Sequence, residues 1–341
     1  MKAPLALAPA AEKAVRDCRI KPNPVSGAGE VAEVARLVLQ LPDKLVHEWR
    51  PYLVSGELDV LGVFTHKSPK ARWTDPRDGE SRTPELCDLL LVLDCEESSG
   101  RTRRALVIQA KVADAGTETG QFTVGKNGPD IQRYLYAHWP AFKLTGLRST
   151  PAAFNIQPAI PGQCPGTRYA CINVNAPAPA SGWWLEDAQP AIPAAPTAAS
   201  GALGTPVAYH GTFQATVPLG EALRDMVTGT LGAPLANGSE WERLVGHLER
   251  VAERRQKSSK APPDVLAAHG THLPHIAAAS LFMTDAGKFF DSKAMEGHRR
   301  WANAEPPNDD RPLVVVDAQG PGFGIIYVRL VSPEWRDKME N

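Results

Sequence analysis

Leu86-Cys87-Asp88-Leu89-Leu90-Leu91-Val92-Leu93-Asp94 and Ala105-Leu106-Val107-Ile108-Gln109-Ala110-Lys111-Val112 are continuous apolar runs of strand length. An alternating pattern would suit a strand with one wet face; unbroken runs predict strands buried on both faces. The segment between them, Cys95–Arg104 (CEESSGRTRR), carries Gly100 and predicts a hairpin-like turn.

Upstream, Val31, Val34, Leu37, Val38 and Leu41 recur at helical spacing from Gly29 up to Pro42, and Lys44–Val54 extends the helical region until Pro51 interrupts it. Leu58–Thr65 (LDVLGVFT) predicts a strand, and the Pro-, Gly- and charge-rich stretch Ser68–Thr83 predicts a loop or wide turn. Downstream, Gly116–Asp130 is loop-like, Ile131–Phe142 has helical spacing before Pro140, and Tyr169–Val174 predicts another strand. Ala176–Pro206 is dominated by Ala, Pro, Ser and Gly and is expected as an insertion or linker, pinned to the body by Trp183-Trp184.

Beyond it come a strand near Phe213–Val217 and amphipathic helices at about Leu219–Thr230 and Glu240–Arg255. Two closing runs, Leu313–Val316 and Gly324–Leu330, are expected to pair across a Gly/Pro turn. The expected fold is α/β, a mixed central sheet flanked by helices with a C-terminal α/β extension. Its parts are a flexible N-terminus (1–26), a core (27–175), the insertion (176–206) and an accessory region (207–341) that decorates the core or rejoins its sheet.

The chain of 341 residues is long enough for a large core, and 43% hydrophobic residues with mixed charge exclude a disordered or fibrous class. A formal net charge of -1 means that a nucleic-acid partner must be met by a local positive patch. Five cysteines without zinc-type spacing are read as reduced thiols. The opening run Met1–Ala11 is short, broken by Pro4 and Pro9, and is expected to be disordered. No stretch approaches the roughly 20 apolar residues of a membrane span. The expectation is a cytoplasmic protein without a membrane partner.

Side chains alternate across a strand, so Gln109 and Lys111 share a face. A lysine at the end of an apolar strand is costly without an anionic neighbour or a task, and Asp88 faces the same problem in the preceding run. If the two strands pair, a carboxylate, an amide oxygen and an ammonium converge at one end of the sheet. That set suits phosphodiester hydrolysis: Asp88 and Gln109 offer oxygen ligands to Mg²⁺ or Mn²⁺, and Lys111 can orient water or stabilise developing charge. The plainer alternatives are Asp88 capping a turn and Lys111 reaching solvent.

An acidic residue, a hairpin and then (D/E)-x-K on the next strand is the signature of the PD-(D/E)xK, restriction-endonuclease-like superfamily. The chain resembles it through Pro84-Glu85-Leu86-Cys87-Asp88 and Gln109-Ala110-Lys111, with Gln in place of the acidic residue and proline not adjacent to Asp88. The family often has a metal-binding Glu on the preceding helix, for which Glu33 or Glu30 is the candidate. Gln132 and Tyr136 form a Q-x3-Y pattern like the RecB-type branch, where these positions lie near the nucleic acid; the exposed flank of a packed helix is the alternative. The resemblance implies a Mg²⁺- or Mn²⁺-dependent nuclease, DNA favoured over RNA, acting in bacterial restriction or anti-phage defence. Whether a second subunit or a partner protein is needed stays open. The rival is a catalytically silent nuclease fold that binds or scaffolds.

Arg101, Arg103 and Arg104 form the most concentrated basic patch near the proposed site and are candidate phosphate contacts, with a solvated turn as the alternative. Glu57 and Asp59 are a rival carboxylate pair on one strand face. His269, His272 and His275 invite a zinc reading that Gly270 and Pro274 weaken. Gly320-Pro321-Gly322-Phe323-Gly324 leads into a strand, so it lacks the helix N-terminus that would bind phosphate.

Overall fold

The computed structural model describes residues 4–19, 25–26, 29–65, 68–113, 120–124, 131–146, 152–157, 166–176, 180–186, 211–257, 265–270, 316–317 and 322–335. The chain begins with α1 (Leu7–Asp17), β1 (Val25–Ser26), α2 (Glu30–Trp49), a 3-10 turn (Arg50–Tyr52) and β2 (Leu53–Thr65). There follow β3 (Lys70–Thr74), β4 (Ser81–Arg82), β5 (Leu89–Glu97), β6 (Gly100–Val112), β7 (Gly120–Val124) and α3 (Ile131–His138). Next come β8 (Phe142–Thr145), β9 (Ala152–Phe154), β10 (Thr167–Ile172), β11 (Trp183–Leu185), β12 (Gly211–Ala215) and β13 (Val217–Pro218). The last elements are α4 (Leu219–Thr228), β14 (Ala233–Pro234), α5 (Glu240–Lys257), β15 (Val265–Gly270), β16 (Val316–Asp317) and β17 (Phe323–Trp335).

The fold is α/β with a mixed central sheet. Its strands run β13-β11-β10-β6-β5-β17-β2-β15, with β14 paired to β6 at one side. The two apolar runs form the antiparallel β5–β6 hairpin, in register Leu89 with Ile108 and Asp94 with Arg103. Parallel neighbours flank it on either side, β10 beside β6 and β17 beside β5. Alternation sorts the hairpin between two cores. Leu89, Leu91, Leu93, Leu106 and Ile108 pack with α1, α2 and α4. Leu90, Val92, Ala105 and Val107 pack with α3 and α5. A second sheet, β4-β3-β8-β9, lies apart from the main one.

Helix α2 does not stop at Pro42. Proline there has no N–H to give the Val38 carbonyl four residues back, so one helical hydrogen bond is missing. The helix continues because that turn is pressed onto β2, where Gly62 leaves room: an added Cβ would overlap the Val38 oxygen. Gly324 of β17 makes a matching recess, its absent Cβ 2.5 Å from Val38 Cγ2.

Several expectations are corrected. Within the stretch expected to be a flexible N-terminus, Leu7–Asp17 form α1, with Leu7, Ala11, Ala14 and Val15 fully buried and the Trp49 indole donating to the Leu7 carbonyl (3.0 Å). The stretch Ser68–Thr83 is not all loop but supplies β3 and β4. Most of Cys95–Arg104 belongs to the two strands, which leaves Ser98 and Ser99 as the turn. Gly116–Asp130, expected as loop, contains β7, paired with β12. The closing runs are not partners of each other. The Val316 end pairs with β1, while β17 is a central strand antiparallel to β2 and parallel to β5. An apolar run with strands on both sides needs no hairpin partner, and adjacency in sequence misled the expectation. Cys18, Cys87, Cys95 and Cys171 are buried and form no disulfide among the described residues; Cys164 lies outside them. Among the described residues no helix is long and apolar enough to cross a membrane.

Candidate active site

Asp88 sits one residue before β5, and backbone from both neighbouring strands grips it. Its N–H donates to the Ile108 carbonyl (3.0 Å), and its carbonyl accepts from the Gly324 N–H (2.8 Å). Alternation turns its side chain to the face of Leu90 and Val92, the face that Gln109 and Lys111 of β6 also occupy. The C-terminal strand therefore helps to place a residue that the sequence puts in the first third of the chain.

A directed chain of hydrogen bonds orders the site. The Glu85 carbonyl can only accept, so Gln132 of α3 presents its Nε2 there (3.4 Å). The same Nε2 donates to Gln109 Oε1 (2.9 Å). That leaves the Gln109 amide nitrogen to donate to Asp88 Oδ2, which also accepts from the Ala110 N–H (2.8 Å). Lys111 extends to Glu30 at the start of α2 (Nζ–Oε2 3.5 Å), and Glu30 Oε1 also accepts from the Val112 N–H (3.4 Å). Lys111 is 22% exposed and Glu30 35%, so this pair lies at the rim, while Asp88 and Gln109 lie beneath it. Burial pushes the Asp88 carboxyl up to about 8. The Lys111 charge and the Ala110 N–H pull it down, and the nearby Glu30 and Glu85 charges push it up.

The structure thus gathers Asp88, Gln109, Lys111, Glu30 and Gln132. Glu33 is buried but paired with Arg36, one turn further along α2. Tyr136 is fully buried among aromatic rings and donates to the Leu86 carbonyl (2.7 Å), so it braces the segment entering Asp88 and offers no surface to a ligand. Tyr136→Phe leaves that buried carbonyl without its donor. It is expected to lower stability by about 1–2 kcal/mol, read from the urea midpoint at unchanged slope.

The three hairpin arginines stand at the other end of the strands. Arg101 is ion-paired with Asp94 (Nε–Oδ1 2.7 Å), Arg103 with Glu249 (2.7 Å), and Arg104 donates to the Leu231 (3.0 Å) and Gly232 (2.6 Å) carbonyls. The register puts Arg101 opposite Glu96, eight residues along the strand from Asp88, roughly 26 Å at strand rise. Arg101 thus ties the hairpin to itself, Arg103 ties it to α5 and Arg104 to the turn after α4. Glu57 and Asp59 both face Arg329 (3.8 and 3.5 Å), away from the Asp88 cluster in register. His269 lies in β15; His272 and His275 fall outside the described residues, as do Gly320 and Pro321.

Hard oxygen donors from Asp88, Glu30 and Gln109 match a divalent cation such as Mg²⁺ in chemistry. Among the described residues no group of three or more His, Cys, Asp or Glu side chains is gathered closely enough to hold a metal ion. Gln109 Oε1 is meanwhile turned to Gln132. The sequence pointed to Asp88, Gln109 and Lys111 and, through the resemblance, to Glu30 or Glu33 and to Gln132; it gave no role to Glu85, whose carbonyl sets the direction of the amide chain. No family model, curated protein or solved structure matches this chain.

Proposed function

We propose that this protein is a metal-dependent nuclease with a restriction-endonuclease-like core, hydrolysing phosphodiesters at the Asp88 cluster, DNA favoured over RNA. The observation that supports the reading best is the convergence of Asp88, Gln109 and Lys111, with Glu30, at one end of a mixed sheet. Asp88 and Glu30 would hold Mg²⁺ or Mn²⁺, with Gln109 joining once its carbonyl is released from Gln132. A cation bound there supplies polarisation of a phosphoryl oxygen and a lowered pKa for a bound water. Lys111, at the rim, faces the incoming phosphate and neutralises charge that grows on it. Glu30 holds the ammonium in place, and the Gln132–Gln109 chain orients Asp88. Burial excludes bulk water from the carboxylate and strengthens each of these interactions.

The test is cleavage of supercoiled, linear and single-stranded DNA and of RNA, with Mg²⁺ or Mn²⁺ and with chelator. Lys111→Ala is expected to lower the metal-dependent rate at least ~100-fold. Undiminished cutting by Lys111→Ala, or no cutting on any substrate by the folded wild type, would remove the reading. A second reading, a silent nuclease fold that binds or scaffolds, has one observation in its favour: both polar ends of Gln109 are already engaged within the chain. It predicts no Mn²⁺ binding that Asp88→Ala removes.

A further inference from the structure

Strand β3 starts at the rim of the Asp88 cluster. Lys70 forms an isolated antiparallel bridge with Glu85, the residue whose carbonyl anchors Gln132. From there Lys70, Arg72 and Thr74 project to one side of the second sheet, because the alternate residues Ala71 and Trp73 are buried on the other. The register places Lys143 of β8 directly opposite Arg72. Opposed residues share a face with Cβ atoms about 5 Å apart, and two like charges in that relation weaken a sheet unless an anion lies between them.

Among the described residues neither Arg72 nor Lys143 has an ion-pair partner. A cleft of about 690 Å³ opens over the pair, bordered also by Ser81, Phe154 and Arg243. The carboxylate on its border, Glu240, is already held by Arg243 (Nε–Oε1 2.9 Å) and by the Asn155 N–H (3.0 Å). Two cations therefore face the cleft without a counter-charge, and a third, Lys70, stands about 7 Å along the strand toward Glu85.

We propose that this cleft binds the phosphodiester backbone of DNA, with Arg72 and Lys143 as a two-pronged phosphate clamp and β3 as the track that leads the strand to Asp88. The destination of the track rests on the nuclease reading; the clamp itself does not. Cations spaced along a strand and ending at the catalytic cluster fit a linear polyanion better than a compact one. The aromatic rings beneath, Trp73, Phe142 and Phe154, are buried, so the contact is to phosphate and is indifferent to base sequence.

The experiment is fluorescence anisotropy with labelled single-stranded and duplex DNA of about 20 nucleotides, in chelator and over a salt series. The wild type is expected to bind with steep salt dependence. The double substitution Arg72→Ala with Lys143→Ala is expected to weaken binding at least ~10-fold and to flatten the log–log salt slope by about 2. Arg72→Lys with Lys143→Arg keeps both charges and is expected to restore the wild-type slope, which separates charge from damage to the sheet. Lys13→Ala on α1, against the opposite face of the main sheet, is the control expected to change nothing. Wild-type affinity and slope in the double alanine variant, or no salt-dependent DNA binding by the wild type, overturns the clamp. Because no cleavage occurs in chelator, the readings fail separately. Clamp-dependent binding without cutting under any metal removes the nuclease and keeps the clamp; metal-dependent cutting with clamp-independent binding does the reverse.

Discussion

Asp88→Asn is expected to stabilise the metal-free protein at pH 8 while abolishing the proposed cleavage. Burial holds the Asp88 carboxyl at about 8 in the folded chain, against roughly 4 when unfolded. At acidic pH below the unfolded value both states keep the proton, and the group has no effect on stability. As pH rises between the two values, the unfolded chain releases its proton and the folded chain retains it, so stability falls progressively. Above the folded value the loss is constant. The accumulated loss is on the order of a few kcal/mol, since each pKa unit is worth about 1.4 kcal/mol.

Asparagine is nearly isosteric and removes the titration. Gln109 and Ala110 both donate to a single oxygen of Asp88, Oδ2, so the one amide oxygen of the substituted side chain can accept both bonds. Urea denaturation at pH 5 and pH 8 in chelator checks this: the wild type should lose stability between the two, and the variant should lose less. Equal slopes with pH would show that Asp88 is not the group responsible. Adding Mn²⁺ at a hundredfold excess over its Kd should return about 2.7 kcal/mol to the wild type and nothing to the variant. A residue that costs stability to keep charged is what a functional carboxylate looks like, whereas a structural one would gain from its surroundings.

Gly62→Ala is expected to be the most damaging Gly→Ala change among the described residues. The new Cβ would overlap the Val38 carbonyl oxygen and come 2.9 Å from Val38 C, both backbone atoms of α2. No side-chain rotation relieves that contact; the helix must lift off the sheet. Overpacking of this kind costs about 1–3 kcal/mol, occasionally more, and the rigid backbone neighbour puts this case at the upper end. Lifting α2 also withdraws Glu30 from Lys111, so on the nuclease proposal the variant should lose metal-dependent cutting beyond what its stability predicts. Thermal denaturation and the rate per folded molecule measure the two effects. A variant that melts with the wild type would mean that α2 does not press on β2 as described.

How much of this was legible beforehand depended on range. Leu89–Asp94 and Ala105–Val112 announced buried strands because apolar runs of that length have nowhere else to go, and the short connection made them a hairpin. The spacing of Gln109 and Lys111 placed them on one face, since alternation is a local property of any strand. Helix α2, α4 and α5 were visible through their periodicity for the same reason. What the residues did not declare was who sits beside whom. Pro42 read as the end of the regular helical spacing, with Lys44–Val54 as an extension, because only contact with Gly62 on another element makes one unbroken helix tolerable across its missing hydrogen bond. The Ala-rich α1 read as a tail, because its small apolar face is informative only against α2 and α4.

Glu30 and Glu33 were equivalent in the sequence. Tertiary packing separated them, bringing the first to Lys111, while the second stays paired with Arg36 one turn on in the same helix. Arg101, Arg103 and Arg104 read as free charge beside the site until the register carried them to the far end of the hairpin and into ion pairs or onto backbone carbonyls. The sequence by itself determined the α/β class, the hairpin and the shared face of the candidate residues, all of which follow from short-range periodicity and burial. Only the tertiary structure decided that β17 lies at the centre of the sheet beside Asp88, and that Arg72 and Lys143 stand side by side on paired strands beneath one cleft. Both depend on pairings between residues far apart in the chain, where strand-like runs can choose among many partners and local patterning names none of them.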